Sequence, residues 1–352
     1  MAESRGREEE VARPKVEATK RAARKEAAKR VVRREEAKRA VRREAAKKAM
    51  KRVVRREATK RAVRRSQRRM VDLIANVRLI GEGEPTVVLA HGYGIDQSTW
   101  DLLLPHLSRS HRLLLFDWNF AGAGSGIADA DEHGIVDTDE GGLDLSSWSS
   151  LSALAEAVVA LMERLQVRGA ILVGHSMSAM IGCIASTRNP RLFSHLVLLS
   201  ASPRYLNSGD GYEGGFEMTN VEQLLSNIKS DFHSWIDNFI PLAVGITGAA
   251  ATMVDKFKAS FRSMKPAIAY TVARAVFLCD LRDIVDEVET PTTIIQTSND
   301  FVVPVAVGRY LQRRINKGQA TLEIIDGDGH FPQLVAVPEL LQILDRVLQH
   351  VV

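Results

Sequence analysis

Cysteines and long apolar runs are scarce in this 352-residue sequence, and each shortage excludes a class of protein. The two cysteines, Cys183 and Cys279, lie in apolar surroundings without metal-ligand spacing, which argues against a disulfide scaffold and a zinc site. The longest apolar run, Leu242–Val254, is interrupted by glycines and is shorter than the roughly 18–20 residues of a membrane span. The charged start, Met1–Glu10, lacks the apolar segment of a secretory signal. We therefore expect a cytoplasmic and nuclear protein with reduced thiols and no membrane contact.

Nucleotide-binding glycine motifs are also missing. The sequence contains neither GxGxxG followed by a ribose-binding acid nor GxxxxGK[ST]. We therefore expect no nucleotide cofactor and, given the cysteine pattern, no metal.

Charges of the two signs are divided between two parts of the chain. Residues 1–70 contain 28 Lys and Arg against 10 Glu, whereas residues 71–352 contain 20 Lys and Arg against 33 Asp and Glu. The net formal charge of +5 therefore hides a strongly basic arm followed by an acidic body. We place the domain boundary at this change, with the arm at residues 1–70 and the body at residues 71–352.

The basic arm cannot build a core of its own, because it has no Phe, Trp or Tyr and its apolar residues are almost all Ala and Val. Its Ala, Arg, Lys and Glu residues favour a helix. The segment Lys29–Glu44 recurs as Lys51–Ser66 with 13 of 16 positions identical. Two interpretations stay open: a solvated charged helix or disordered tail, and an arm that uses residues 15–69 to bind polyanions without sequence preference or to direct the protein to the nucleus.

Short apolar runs alternate with helical stretches in the body, which predicts an α/β protein with a mostly parallel sheet. The predicted strands are Asn76–Ile80, Thr86–Ala90, Arg112–Phe116, Ala170–Gly174, His195–Ser200, Thr292–Thr297 and Thr321–Ile325. The predicted core helices are Trp100–Ser108, Ser150–Leu165, Met177–Arg188, Val305–Ile315 and Pro338–His350. Residues 218–280 read as about four consecutive helices, and an all-helical insertion of this kind predicts a lid over the carboxyl edge of the sheet, at about residues 203–285.

Three residues suggest a catalytic triad. The segment Gly174–Ser178 follows an apolar strand and opens a helix, as in the G-x-S-x-G nucleophile elbow, with Ser178 in place of the last glycine. Asp300 closes the strand TTIIQTSND, and His330 lies in a glycine loop after the strand TLEII. The chain order Ser, acid, His is that of the α/β-hydrolases. We predict that Ser176 is the nucleophile, His330 the general base and Asp300 its orienting acid.

A developing oxyanion needs backbone donors, which we predict to be the N–H groups of Met177 and of Tyr93 in the loop HGYG. His91, at the start of that loop, is expected to orient it or to contact substrate, and His175 to pack or hydrogen-bond beneath Ser176. Four aromatic residues of the lid region are candidates for an apolar substrate pocket, with lid core as the open alternative. They are Trp235, Phe239, Tyr205 and Phe216.

The body resembles the plant α/β-hydrolases related to the strigolactone receptor Dwarf-14 and the karrikin receptor. Matching segments spread over residues 71–352 and include NVRLIGEGEPTVVLAHGYGIDQSTW, FDWNFAGAG, QTSNDFVVPVAVGRYL and GDGHFPQL. The segments GHSMSAMIGC, FDW and ASPRYLNS look closest to the Dwarf-14-like 2 branch. The resemblance implies an α/β-hydrolase core under a four-helix V-shaped lid, the triad named above and a hydrophobic butenolide-binding pocket. It also implies contacts with an F-box protein and with repressor proteins in plant hormone signalling.

Two segments depart from that family: residues 120–147, which are rich in acids, and the basic arm.

The sequence as a whole leaves three possible functions open. The first is a serine hydrolase of small esters or lactones, with slow turnover and a signalling role. The second is a ligand sensor whose triad turns over negligibly. The third is a polyanion-binding protein that acts through its arm.

Overall fold

The computed structural model describes residues 20–58, apart from 27, 31, 37, 40 and 41, and residues 73–122, 145–245 and 250–350. The chain separates into two compact units, Met1–Arg64 and Arg65–Val352. The boundary predicted at residue 70 lies outside the described residues, as does most of the acidic segment that departs from the family.

The first unit is helical at every described position between residues 20 and 58, and every one of these residues is exposed. Lys38 Nζ donates to Glu35 Oε1 at 2.6 Å, a pair one helical turn apart. Val32, Met50 and Val54 are each more than half exposed. An exposed ion pair of this kind adds only a few tenths of a kcal/mol, so composition rather than packing accounts for the helix.

The second unit is built on a seven-stranded sheet with the order β1-β3-β2-β4-β5-β6-β7. The strands are β1 (Ile74–Ile80), β2 (Val87–Ala90), β3 (Leu113–Trp118), β4 (Ala170–His175), β5 (Phe193–Leu199), β6 (Thr292–Asn299) and β7 (Thr321–Asp328). Strand β1 pairs with β3 in antiparallel orientation, and the other neighbours are parallel. The predicted α/β architecture with a mostly parallel sheet is confirmed.

Helices cover the sheet and form the lid. They are α1 (Leu104–Leu107), α2 (Leu151–Arg164), α3 (Met177–Arg188), α4 (Met218–Ser230), α5 (Phe232–Val244), α6 (Ala250–Ser263), α7 (Pro266–Phe277), α8 (Arg282–Glu287), α9 (Val305–Arg314), α10 (Pro332–Val335) and α11 (Val337–His350). Short 3-10 turns lie at Gln97–Trp100, Pro190–Leu192 and Ile315–Gly318. The single helix predicted at Trp100–Ser108 is wrong, because a 3-10 turn ends at Trp100 and a new helix begins beside Pro105, which lacks the N–H that would continue the earlier turn.

Side chains of the sheet pack on both faces, as the continuously apolar strands predict. In β4, Leu172 belongs to the hydrophobic cluster that includes α2, α3 and the lid, whereas Ile171 and Val173 belong to the cluster that includes α1 and α11. The lid helices α4–α7 follow β5 in sequence. In the described parts of the chain, no helix is both long and apolar enough to cross a membrane.

Candidate active site

Ser176 lies at the turn between β4 and α3 in a backbone conformation that few side chains adopt. Its φ is 54° and its ψ is −116°, which is the strained geometry expected of a nucleophile elbow. The turn is tight: a Cβ on Gly174 would lie 2.7 Å from the Cα of Ala179. Glycine is therefore required there, and the sharp turn projects the serine side chain beyond the carboxyl edge of the sheet.

The structure brings Ser176, His330 and Asp300 together from three strand ends. Ser176 Oγ and His330 Nε2 are 2.8 Å apart, and His330 Nδ1 lies 2.8 Å from Asp300 Oδ2. All three residues are at most 9% exposed. With the Nδ1 proton donated to Asp300, the lone pair of Nε2 points at the serine hydroxyl, which is the arrangement that general-base activation requires.

Three hydrogen-bond donors besides the His330 ring hold the Asp300 carboxylate in place. Its Oδ1 accepts the N–H groups of Val302 and Val303 at 2.8 and 3.0 Å, and Gln296 Nε2 donates to its Oδ2 at 3.0 Å. Burial raises the pKa of Asp300, but the His330 ring and these backbone donors together lower it by more. The pKa of Asp300 is therefore below its ordinary value. The carboxylate is therefore ionised beside the imidazole. No motif in the sequence marks Gln296, which lies four residues earlier on β6.

The backbone of His330 is held from three directions. Its N–H donates to the carbonyl of Ala243 in lid helix α5 at 2.7 Å. Its carbonyl lies 2.8 Å from His175 Nε2, and Thr297 Oγ1 donates to the carbonyl of the preceding Gly329 at 2.6 Å. The expectation that His175 hydrogen-bonds beneath the nucleophile matches this contact, although its partner is the backbone of the catalytic loop.

His175 is neutral at working pH. Burial, and secondarily the neighbouring His330 ring, lowers the pKa of His175 to about 3. Its Nε2–H therefore donates to the His330 carbonyl. Its Nδ1 has no hydrogen-bond partner among the described residues, so protonation of the ring would place an unpaired charge in the core.

This predicts a loss of stability in acid that depends on His175. The pKa of His175 is near 6.5 in the unfolded chain and lower in the folded protein, so below pH 6.5 the unfolded chain binds the proton more readily. The free energy of unfolding is therefore at its full value above pH 6.5 and decreases as the pH falls toward 3. Between pH 6.5 and pH 5 the parent should lose about 2 kcal/mol more unfolding free energy than His175→Gln. Urea denaturation at the two pH values measures this difference. Equal losses in the two proteins would contradict the assignment.

The loop after β2 carries the candidate oxyanion donor Tyr93. The Tyr93 hydroxyl donates to the carbonyl of Ala269 in α7 at 2.8 Å, and its ring lies edge-on to Phe261 in α6 with centroids 5.3 Å apart. The other candidate, Met177, is the first residue of α3, and the N–H of a first-turn residue has no partner within its helix. Met177 directly follows the nucleophile Ser176 in the chain, and Tyr93 lies near it in space, lining the same cavity.

His91 does not line the site, which corrects its prediction as a substrate-binding residue. It is fully buried. Its Nδ1 donates to the carbonyl of Gly92 at 2.9 Å, and its Nε2 accepts the N–H of Trp118 at 3.0 Å. The ring has no free nitrogen left for a ligand, so it shapes the loop that ends at Tyr93, which is the other role expected of it.

A small cavity of about 40 Å³ lies over the nucleophile. Tyr205 and Phe239 line it together with Tyr93, Ser176 and His330. Its remaining lining residues are His175, Ile240, Ala243, Phe261, Val276, Phe277, Val302 and Phe331. The cavity is far below the roughly 300–1,000 Å³ of ordinary ligand sites.

The other two aromatic candidates, Trp235 and Phe216, lie outside that cavity. Trp235 is stacked between Phe232 and Phe239, with ring centroids 5.9 and 5.0 Å away, and is 5% exposed. It therefore belongs mainly to the lid core. Trp235 and Phe216 border a second, outer groove of about 630 Å³ between α4 and α5.

The outer groove and the catalytic cavity share one lining residue, Phe239. The groove lining also includes the exposed apolar side chains of Leu242 and Phe301, the Asp231 carboxylate and four carboxamides. The carboxamides belong to Asn220, Gln223, Asn227 and Asn238. Phe239 is thus the residue that borders both the large groove and the small cavity.

Comparison with known proteins identifies the family of this chain. Residues 85–337 match the family described as the alpha/beta hydrolase fold. The chain belongs to the α/β-hydrolase family. Two relatives of this α/β-hydrolase are the karrikin insensitive 2 receptor CA of Petunia hybrida and the strigolactone esterase D14 of Arabidopsis thaliana. Each is 38% identical over 80% of this chain, covering 98% and 99% of the relative.

Among solved structures, this α/β-hydrolase is similar to a hydrolase from Oleispira antarctica. The TM-score is 0.68 and the identity 27%, with 80% of this chain and 97% of the other covered. The resemblance to the strigolactone and karrikin receptor group and the assignment as a hydrolase are therefore confirmed. In the described residues, no group of three or more His, Cys, Asp or Glu side chains is arranged to hold a metal ion.

Proposed function

We propose that this α/β-hydrolase cleaves small esters or butenolide lactones with Ser176 as its nucleophile. The observation that carries the proposal is the relay of two 2.8 Å contacts, from Ser176 Oγ to His330 Nε2 and from His330 Nδ1 to Asp300 Oδ2, at a strained elbow. The relatives named strigolactone esterase and karrikin insensitive 2 receptor supply the ligand class.

In the proposed reaction, Ser176 Oγ attacks the carbonyl carbon while His330 Nε2 takes its proton. Asp300 stabilises the imidazolium that forms. The N–H groups of Met177 and Tyr93 bind the oxyanion of the tetrahedral intermediate. Collapse of that intermediate breaks the ester C–O bond, and His330 returns the proton to the leaving oxygen. Water, activated by His330, then hydrolyses the acyl–serine ester.

The small catalytic cavity supports slow turnover. At about 40 Å³ it leaves no room for a butenolide ring in the closed arrangement, whereas the adjoining groove of about 630 Å³ does. The ligand therefore rests in the groove and its carbonyl reaches Ser176 when Phe239 and the lid move. Such a movement would signal ligand occupancy to an F-box protein and to repressor proteins, which we propose as partners in the cytoplasm and nucleus.

Phe239→Ala tests this two-chamber arrangement. Removal of the ring joins groove and cavity, so turnover of bulky aryl esters should rise about tenfold relative to that of an aryl acetate. Phe232→Ala is the matched control, because Phe232 also stacks on Trp235 and lines neither space. The ratio of kcat/KM for the two esters is measured. An unchanged ratio in Phe239→Ala, or an equal rise in Phe232→Ala, would contradict the arrangement.

A ligand sensor with negligible turnover is the alternative that must be separated from an enzyme. A fluorophosphonate probe should label the parent protein at Ser176, and a fluorogenic ester should be turned over repeatedly. Labelling without repeated turnover, together with a ligand-induced thermal shift, would instead identify a sensor. Failure of both labelling and turnover would overturn the hydrolase proposal.

A second activity is favoured by the charge of the first unit. Residues 20–58 carry 18 Lys and Arg against 5 Glu, and every described residue there is exposed. A cationic helix of this kind binds polyphosphates by releasing their counterions. The apolar residues are Ala, Val and one Met, so the helix lacks the aromatic and leucine face of a membrane-surface helix. We therefore propose sequence-independent contact of this arm with nucleic acid.

A further inference from the structure

We propose that Ser178 is a positioning residue that holds the two candidate oxyanion donors in register without touching substrate. The inference rests on the proposed hydrolase function and adds a residue to it. Ser178 occupies the place of the last glycine of G-x-S-x-G, where smallness alone would be sufficient. Its hydroxyl nevertheless takes part in a specific buried network.

Two hydrogen bonds fix the Ser178 hydroxyl. Its single proton is donated to the carbonyl oxygen of His91, and it accepts the indole N–H of Trp118 at 3.0 Å. The same indole N–H also lies 3.1 Å from the His91 carbonyl. Ser178 and Trp118 are 0% and 3% exposed, so this triangle is closed to water.

The network joins the two segments that carry the oxyanion donors. Ser178 is the residue directly after Met177, and His91 is two residues before Tyr93. The bond from Ser178 to the His91 carbonyl therefore ties the start of α3 to the loop after β2, at the point where their backbone N–H groups must converge on one oxygen atom. Donors held in advance at the correct separation stabilise an oxyanion without reorganisation.

Ser178 itself does not reach the reacting atoms. Of the residues that the structure describes, those lining the catalytic cavity do not include Ser178. His330 Nε2 is directed at Ser176, so Ser178 has no base to activate it. Its contribution must therefore act through the donors, which predicts an effect on the transition state rather than on substrate binding.

Removal of the hydroxyl leaves no orphaned polar group. In Ser178→Ala, the Trp118 indole still donates to the His91 carbonyl, and that carbonyl still has a donor. Any loss of rate can therefore be separated from a general loss of folding. Ser178→Gly, which restores G-x-S-x-G, is the second variant.

The experiment measures kcat and KM for an aryl acetate in the parent, Ser178→Ala and Ser178→Gly. Active sites are titrated with a fluorophosphonate, so that only competent molecules are counted. We expect kcat to fall about tenfold while KM changes less than twofold. Affinity for a phenylboronic acid, which forms a tetrahedral adduct with the serine, should fall in parallel with kcat/KM.

Ser186→Ala is the matched control. Ser186 lies on the same helix, is equally buried and donates to the Cys183 carbonyl at 2.9 Å, but it is remote from the nucleophile. Its kcat should stay at the parent value. Parent kcat in both Ser178 variants, a rise of KM alone, or an equal loss in Ser186→Ala would overturn the positioning role. Absence of turnover and labelling in the parent would overturn the hydrolase proposal, and this inference with it.

Discussion

Ser176→Ala should abolish ester turnover, with a fall in kcat on the order of 10⁴-fold or more, and leave the protein folded. The hydroxyl is the only nucleophile within reach of His330 in the described site, and triad members act as a unit, so His330→Ala should lose a comparable amount. Alanine at the elbow leaves no core cavity, and the strained backbone is unchanged. The fluorogenic ester assay measures the rate, and circular dichroism checks the fold.

A double variant sharpens the test. If Ser176 and His330 form one catalytic unit, combining the two alanine substitutions should cost little more than either alone. Near-parent turnover by Ser176→Ala would show that another group performs the attack. Multiplicative losses in the double variant would show that His330 contributes independently of the serine.

A chain that begins at Met70 should lose polyanion binding and keep its esterase activity within about twofold. Every strand that the structure describes and every residue of the candidate site lies after this point. Heparin or RNA affinity of the full chain should fall on the order of 10³-fold or more between 50 and 200 mM salt, as expected for a protein that makes several phosphate contacts.

The matched control for the arm keeps its length and removes its charge. In this control, all Lys and Arg residues within residues 1–70 are replaced by Gln. It should bind polyanions as poorly as the truncated chain. Retained binding in either protein would place the polyanion site in the body. An insoluble or inactive truncated chain would show that the arm belongs to the folded unit and that the domain boundary is misplaced.

The strands of the sheet and the residues that meet at its carboxyl edge could be predicted from the sequence, because both depend on local patterns. Apolar runs mark the strands, and the order Ser176, Asp300, His330 follows from where strands end. Side-chain networks between distant segments could not be predicted in this way. Gln296 donates to Asp300, and Ser178 donates to the His91 carbonyl, yet neither contact has a signature in spacing.

Pocket residues illustrate the same limit. Trp235 and Phe239 lie four residues apart and share a helix face, so the spacing cannot distinguish them. Only Phe239 reaches the catalytic cavity, because Trp235 is stacked between Phe232 and Phe239. The size of the cavity depends on Phe261 and Phe277, which come from two other lid helices, and so on how the lid closes.

The hydrogen bond from the His330 N–H to the Ala243 carbonyl makes the histidine amide a natural sensor of lid position. Ala243 lies near the end of α5, so a displacement of that helix that breaks this bond frees the His330 amide to exchange with solvent deuterium. Its exchange rate therefore measures how often the lid opens, independently of catalysis. A ligand that stabilises the lid in its present position should slow this exchange. A ligand that displaces the lid should speed the exchange and at the same time release the backbone of the general base His330 from α5.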